Sequence, residues 1–469
     1  MNKIVTIIAA VLFSILFYEQ AIGLNFGLFA LVTLLVLALH QPIQFKKTTV
    51  ILQAGLYLST AVLVFFQSST LAITTNCICF FTLVGAVSER RSSIYVKWFN
   101  GLYSSIAGYF HRSFEAPKKG NPDVPKKEID YWHLSKMVGI PMLFIILFVL
   151  LYKNGNALFG SLVSNISFAF IDFQWLLFTV LGYYLMSNIS KPVRIDPGTT
   201  MDLETGNELL KKDLISSETQ VEKDNSLVKE NQLGTTLILL LNLLLLFYCV
   251  TDIISIFKIS AENASEMSNR VHSGIYALIV SIVVAIGIIL YFFRSDLNFY
   301  KRNTQLKYLT YLWILLNSVL VVLIFIKNQD YISSFGLTYK RIGVHVYILL
   351  TLVGLMTTFI KVLQIKNVAF LFRRNVQAAF VLLLMCSVVN WDKFITEYNL
   401  NQAESFDTNY LITLSDRNAT TLYNNSLDSR ISSSDKNRIE KKYHDYTIEM
   451  EQRQWQELNY ESITLKTER

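Results

Sequence analysis

The feature that most constrains this chain is a series of apolar runs of about 18 or more residues with hardly a charge in them. As a helix rising 1.5 Å per residue, such a run is long enough to cross about 30 Å of hydrocarbon. A soluble helix of that length keeps a polar face, and Thr235 to Phe257 shows almost none. The runs therefore predict an all-α fold, a polytopic bundle of transmembrane helices, with the lipid bilayer as its first partner. Composition agrees: 52% of the residues are hydrophobic and 16% charged, against roughly 25% charged in soluble domains.

The apolar runs place about eleven spans, at 4–18, 23–40, 49–66, 70–87, 137–152, 171–187, 234–257, 273–293, 308–326, 344–365 and 375–390. Asn375 and Gln377 make the last of these the least apolar at its start. Orientation follows from the loops, because Lys and Arg accumulate on the cytoplasmic side. With the N-terminus inside, cytoplasmic segments hold 26 Lys and Arg and the external loops only 6. An odd number of spans leaves the tail, 391–469, outside; it carries ten Lys/Arg against fourteen Asp/Glu. The formal charge of +7 thus reflects basic loops beside an anionic membrane face, and not a nucleic-acid partner.

The same map divides the chain into a four-span segment (1–87), an amphipathic and basic cytoplasmic linker (88–136) and a two-span segment (137–187). A polar cytoplasmic loop (188–233), a five-span segment (234–390) and the external acidic tail follow. The first run, led by Lys3 and followed by the small-x-small sequence Ala21-Ile22-Gly23, also fits a cleaved leader. Leu24 opens the next run at once, which favours a retained anchor.

Three extramembrane segments carry patterns of their own. In 94–112, Tyr95, Trp98, Phe99, Leu102, Ile106, Tyr109 and Phe110 share one helical face, while Lys97, Ser104, Ser105, Gly108 and His111 share the other. This predicts a helix along the inner interface, and with the tail it is the expected contact surface for protein partners. Leu158, Leu162, Ile166 and Phe170 suggest a second interfacial stretch on the outer side. The loop 188–233 reads as flexible and solvated. In the tail, Ser434 or Asp435 can cap a charged helix reaching about Leu458, with too little apolar content for an independent core.

Chemistry is sparse. Polar residues inside a bilayer are costly and merit inspection. Asn242 and Asn317 lie at similar depth, about eight residues or roughly 12 Å into their spans, and Thr357 and Thr358 reach a similar level from the other side. A hydrogen-bonded layer joining the three helices is one expectation; ordinary interhelical bonding, at around 0.6 kcal/mol per bond, is the plainer one. Asp172 and Asp252 stand near outer ends of spans, and Lys361 can snorkel inward. The cysteines, Cys77, Cys79, Cys249 and Cys386, sit in apolar runs and read as packing residues. The histidines show no H-x-x-x-H or H-E-x-x-H spacing, and no phosphate-loop, dinucleotide or nucleophile-elbow element occurs. These readings assign no catalytic residue, cofactor or metal. They lean towards a non-enzymatic envelope interaction or sensing component, with a small-solute transporter next and a membrane-embedded enzyme third.

Residues from about 230 to 420 resemble a bacterial membrane family, domain of unknown function 4173, and its close relative 4153, in the manner of Bacteroidetes members. The likeness rests on Val271-His272-Ser273-Gly274 leading to Leu278 and on Tyr331 with Gly336-Leu337-Thr338-Tyr339-Lys340-Arg341. It rests also on Asn390-Trp391-Asp392 with Tyr398-Asn399-Leu400 and on Asp407 to Ser415. The resemblance implies an inner-membrane helical protein without an established activity. Read physically, these stretches fall on the external face. Gly336 suits a turn needing positive φ, Thr338 can cap the following helix, and Tyr331 suits the headgroup belt. Arg341 is expected to pair with the tail, for instance with Asp392 or Asp407.

Overall fold

A computed structural model describes residues 2–115, 172–210, 220–257, 280–294 and 296–467, with scattered helical positions between 137 and 155. The span expected at 137–152, the outer stretch 157–170 and His272 therefore lie outside the described residues, wholly or in large part. Among the described residues the only extended pairing is a single bridge between Glu208 and Lys366; everything else regular is helical. The helices are α1 (Asn2–Phe17), α2 (Leu24–His40), α3 (Thr48–Gln67), α4 (Thr70–Ser88), α5 (Ile94–Glu115) and α6 (Phe173–Ile189). The short α7 (Gly198–Glu204) and the long α8 (Gln220–Phe257) come next, then α9 (Val280–Phe292), α10 (Thr304–Phe335), α11 (Tyr339–Gln364) and α12 (Val368–Ser387). The tail forms α13 (Trp391–Asn401), α14 (Thr408–Thr413), α15 (Ala419–Asn424), α16 (Ser433–Gln452) and α17 (Tyr460–Thr467).

Six of these helices, α3, α4, α8, α10, α11 and α12, are long and apolar enough to cross a membrane, and α1, α2 and α9 are shorter apolar helices. Their exposed surfaces are rich in Leu, Ile, Val and Phe. In water such a surface would be an extensive aggregation patch; against acyl chains it is the solvent-matched surface. The chain is a membrane-embedded helical protein.

The apolar helices gather into two groups. One core joins α8, α9, α10 and α11 through residues such as Ile238, Ile289, Trp313, Leu320 and Leu355. The other joins α2, α3, α4 and α5 through Leu37, Tyr57, Ala61 and Leu83. In this second group, α1 and α6 add a flank through Ala9 and Met186 and a stacked pair, Phe13 on Phe178, at 4.8 Å. Although α12 follows α11 in the chain, its Phe380 packs into the second group, against Trp98 among others.

The aromatic-rich α5 forms as one helix with the two faces expected of it. The face that packs against protein is the small and polar one: Lys97, Asn100, Ser104 and Ser105 are buried, whereas Phe99, Ile106, Tyr109 and Phe110 are exposed. Two glycines explain this. A Cβ on Gly85 would meet the Lys97 carbonyl oxygen at 2.0 Å, and one on Gly101 would meet that of Phe81 at 1.9 Å. The backbones of α4 and α5 are thus in direct contact, the geometry that small residues permit between membrane helices.

Of the loop 188–233, expected to be solvated, residues 188–202 are instead docked along α5 and its start. The Ser104 hydroxyl donates to the Val193 carbonyl at 2.8 Å and accepts from the Val193 amide at 2.9 Å. Asn100 accepts from the Ile195 amide and donates to the Thr199 hydroxyl. Asn188 inserts its amide between the Ser105 carbonyl and the Tyr109 amide. Each of these polar groups on α5 finds its partner in this segment, which is why the polar face turns inward. Helix α8 begins at Gln220, well before the expected span.

Candidate functional site

The stretches that carry the family resemblance and fall within the described residues meet at one end of the bundle, where the tail docks on the α10–α11 turn. Helix α10 stops because Gly336 takes φ +78°, ψ 177°, a conformation essentially confined to glycine. Thr338 then caps α11, its hydroxyl accepting from the Arg341 amide. Arg341 turns back on the end of α10. Its guanidinium donates to the carbonyls of Phe335, at 2.8 Å, and Gly336, and lies 3.8 Å over the Tyr331 ring. A cation at a helix C-terminus is favourable twice over, through the orphan carbonyls and the dipole.

Arg341 therefore does not pair with Asp392 or Asp407, contrary to the sequence expectation. Its donors are taken by carbonyls close in sequence, which need no long-range closure. Asp392 is buried and receives the Tyr339 hydroxyl at 2.7 Å, the Ser415 hydroxyl and the Arg417 guanidinium. Asp407 caps α14 by accepting from the Tyr410 amide. Asn390 does the same for α13 through the Lys393 amide.

Asn399, in the Tyr398-Asn399-Leu400 stretch, has a role that nothing in its sequence neighbourhood signals. Its side chain clamps Leu337, accepting from that residue's amide and donating to its carbonyl at 3.0 Å. The Ser333 and Ser334 carbonyls accept from the Glu404 and Ser405 amides, each at 3.2 Å, and Tyr339 donates its amide to the Tyr410 hydroxyl. Leu337 and Ile342 from the turn share one apolar cluster with Ile395, Leu411, Leu422 and Ile439 of the tail. The tail is thin in apolar residues by itself and completes its core on the bundle. It then runs on to the far turns: Leu24 and Asn25 donate their amides to Leu458 and Gln456, and Asn459 donates to the Ser68 hydroxyl at 3.3 Å.

The four intramembrane polar residues are buried but do not form one connected layer. Asn242 donates across to the Leu309 carbonyl of α10 at 2.9 Å, and Asn317 donates within its own helix to Trp313. Thr357 donates to Asn375 of α12 at 3.2 Å, and Thr358 bonds to Gly354. Side chains this short reach a carbonyl of their own turn more readily than a partner on a third helix. Lys361 is fully buried and donates to the Phe293 carbonyl at 2.7 Å. Asp252 pairs with Lys327, tying α8 to α10.

At the other end, a second polar cluster fastens α12 to the start of α5. Asp202 of α7 accepts from the Ser93 amide, at 2.7 Å, the Ser93 and Tyr95 hydroxyls, and Arg373 of α12. Burial raises the affinity of the Asp202 carboxylate for a proton; the bonds from Ser93, Tyr95 and Arg373 more than offset this and hold it below the usual carboxylate range. The described residues contain no group of three or more His, Cys, Asp or Glu placed to hold a metal ion.

No curated protein and no solved structure gives a significant match to the chain. The sequence profile described as Domain of unknown function (DUF4153) matches residues 4–425, which extends the likeness from the second half of the chain to nearly all of it and selects the 4153 relative over 4173. The chain is a member of the DUF4153 family, and the tail junction and the two helix groups, up to residue 425, fall within what that family describes.

Proposed function

We propose that this protein is a bacterial inner-membrane component of about eleven spans, its N-terminus cytoplasmic and its tail periplasmic, acting in envelope interaction or sensing without catalysing a reaction. The observation that carries this reading is the tail: five helices built onto the turns at one end of the bundle, forming a folded platform rather than a trailing segment. The platform presents a polar concave surface of about 500 Å³ beside the stacked rings of Tyr423 and Tyr443, with Lys441, Glu440 and His444 at its edge. That size and mixture suit a protein or peptide contact. The transporter reading has less support, since Asn242 and Asn317 are packed against helix backbone, and the described cavity among the apolar helices is lined by residues such as Phe13, Phe29, Tyr57 and Phe80.

The test is photo-crosslinking in living cells. A crosslinking residue at Lys441 is expected to trap a discrete envelope protein that the same residue at the lipid-exposed Val322 does not. If positions across the tail platform trap nothing above the Val322 background, the interaction reading fails.

A further inference from the structure

Beside the Asp202 cluster lies a cavity of about 590 Å³, open on one side, where α4 ends and α5 begins. Its volume is in the range of small-molecule sites, about 300–1,000 Å³. Charge decides what it can take. Asp202 lines it but is already saturated by Ser93, Tyr95 and Arg373. Glu89 turns one carboxylate oxygen to the Arg91 amide. The guanidiniums of Arg90 and Arg91 have no carboxylate partner among the described residues, and Gln377 adds an amide at the same wall. Two forks without a carboxylate partner, both lining one open polar cavity, suit a tetrahedral oxyanion, because a guanidinium matches phosphate oxygens two at a time.

We propose that this cavity binds a phosphate-bearing ligand, with Arg90 and Arg91 as the groups that hold the phosphate and Gln377 as a supporting donor. The cavity opens at the end of the apolar helices, so the phosphate can belong to the headgroup of an anionic lipid lying beside α4 and α12, or to a soluble phosphate compound entering from the aqueous side. The chemistry is the same for both sources, and the inference does not depend on which side of the membrane this end faces.

The experiment uses the full-length protein purified in a neutral detergent. Native mass spectrometry with added phosphatidylglycerol, against phosphatidylcholine as control, reads the lipid arm. Thermal unfolding with inorganic phosphate or pyrophosphate reads the soluble arm. The wild type is expected to retain phosphatidylglycerol, or to be stabilised by pyrophosphate, and the double variant R90Q/R91Q to lose at least five-fold in whichever signal is present. The control K46Q/K47Q removes two charges from the same end outside the cavity and should change neither. Equal binding by wild type and R90Q/R91Q, equal loss in K46Q/K47Q, or no binding in either arm would overturn the proposal. Circular dichroism of R90Q/R91Q checks that it is folded; if it is not, the single variants R90K and R91K, which keep charge but lose the fork, are expected to weaken binding at least two-fold each, and unchanged binding would count as failure.

Discussion

Asp392 and Gly336 carry the tail junction for different physical reasons, and each supports a prediction. Replacing Asp392 with Ala removes the acceptor of the Tyr339, Ser415 and Arg417 donors together. It strands the Arg417 guanidinium, whose side chain is only 20% exposed. Breaking one half of a buried ion pair costs about 3–5 kcal/mol. The Asp392→Ala protein should therefore show rapid proteolysis within 392–467 while α8–α11 stay protected; a tail as resistant as wild type would contradict the assignment. Gly336→Ala fails by sterics instead: its Cβ would sit 2.5 Å from the Asn399 oxygen on a backbone at φ +78°. The expected loss is about 1–3 kcal/mol, read as a lower unfolding temperature with the same tail susceptibility. At this scale the sequence was legible where the physics is local. The glycine turn and the Thr338 cap involve residues within a few positions of each other, so Gly336-Leu337-Thr338 sufficed to expect them. The partner of Asp392 is set by tertiary closure across 25 residues, and nothing in the sequence distinguishes Arg417 from Arg341 as that partner.

Helix faces are harder to read than caps. The periodicity of α5 separates its aromatic residues from its small polar ones, but not which set meets protein and which meets lipid. In water the apolar face goes inward; in a bilayer the driving force between helices is packing and hydrogen bonding, so Gly85, Gly101, Asn100 and Ser104 decide. Gly101→Leu is accordingly expected to separate α4 from α5 and to abolish recovery of monodisperse protein, whereas Phe99→Leu on the exposed face should leave the unfolding temperature within about 2 °C, a surface-sized effect. Equal yields from the two would refute the packing account. In the tail, α17 docks through Glu461, which accepts from the Tyr446 hydroxyl. Burial pushes its carboxyl up to about 7, against the pull of Arg417 and Lys393. A carboxyl whose affinity for a proton is raised by folding stabilises the folded state fully below its unfolded value near 4.5, and that contribution is lost as pH rises through about 7. Hydrogen exchange of 460–466 should thus slow on going from pH 8 to pH 5, after correction for intrinsic rates. Glu461→Gln should remove most of that dependence.

At the scale of the whole molecule, the two helix groups are held at both ends by segments that lie outside the apolar runs. One end is spanned by the tail, from the α10–α11 turn to the turns at Gly23 and Ser68; the other by α7 and its flanks, from Asn100 on α5 to Ile365 at the end of α11. The backbone contact of Gly23 with Glu457 makes Ala21-Ile22-Gly23 part of a docking surface, a role hidden from a local reading that sees only small residues. The alternation of apolar runs and basic loops was legible because it is a one-dimensional pattern. The second grouping of α12 was not, since its neighbours lie hundreds of residues earlier. The alternation has a consequence that can be measured. The turns touched by the tail all lie at its end, so Lys46 and Lys47 between α2 and α3, and Arg90 and Arg91 between α4 and α5, fall at the other. If Lys and Arg remain on the cytoplasmic side, Asn437→Cys, on the exposed face of α16, should react with a membrane-impermeant maleimide in intact spheroplasts, and Lys46→Cys only after lysis. The natural cysteines lie on the apolar helices α4, α8 and α12, so the unsubstituted protein supplies the background. Labelling in the reverse order would keep the two-ended architecture but invert it in the membrane, and the tail platform would then have to find its partners in the cytoplasm.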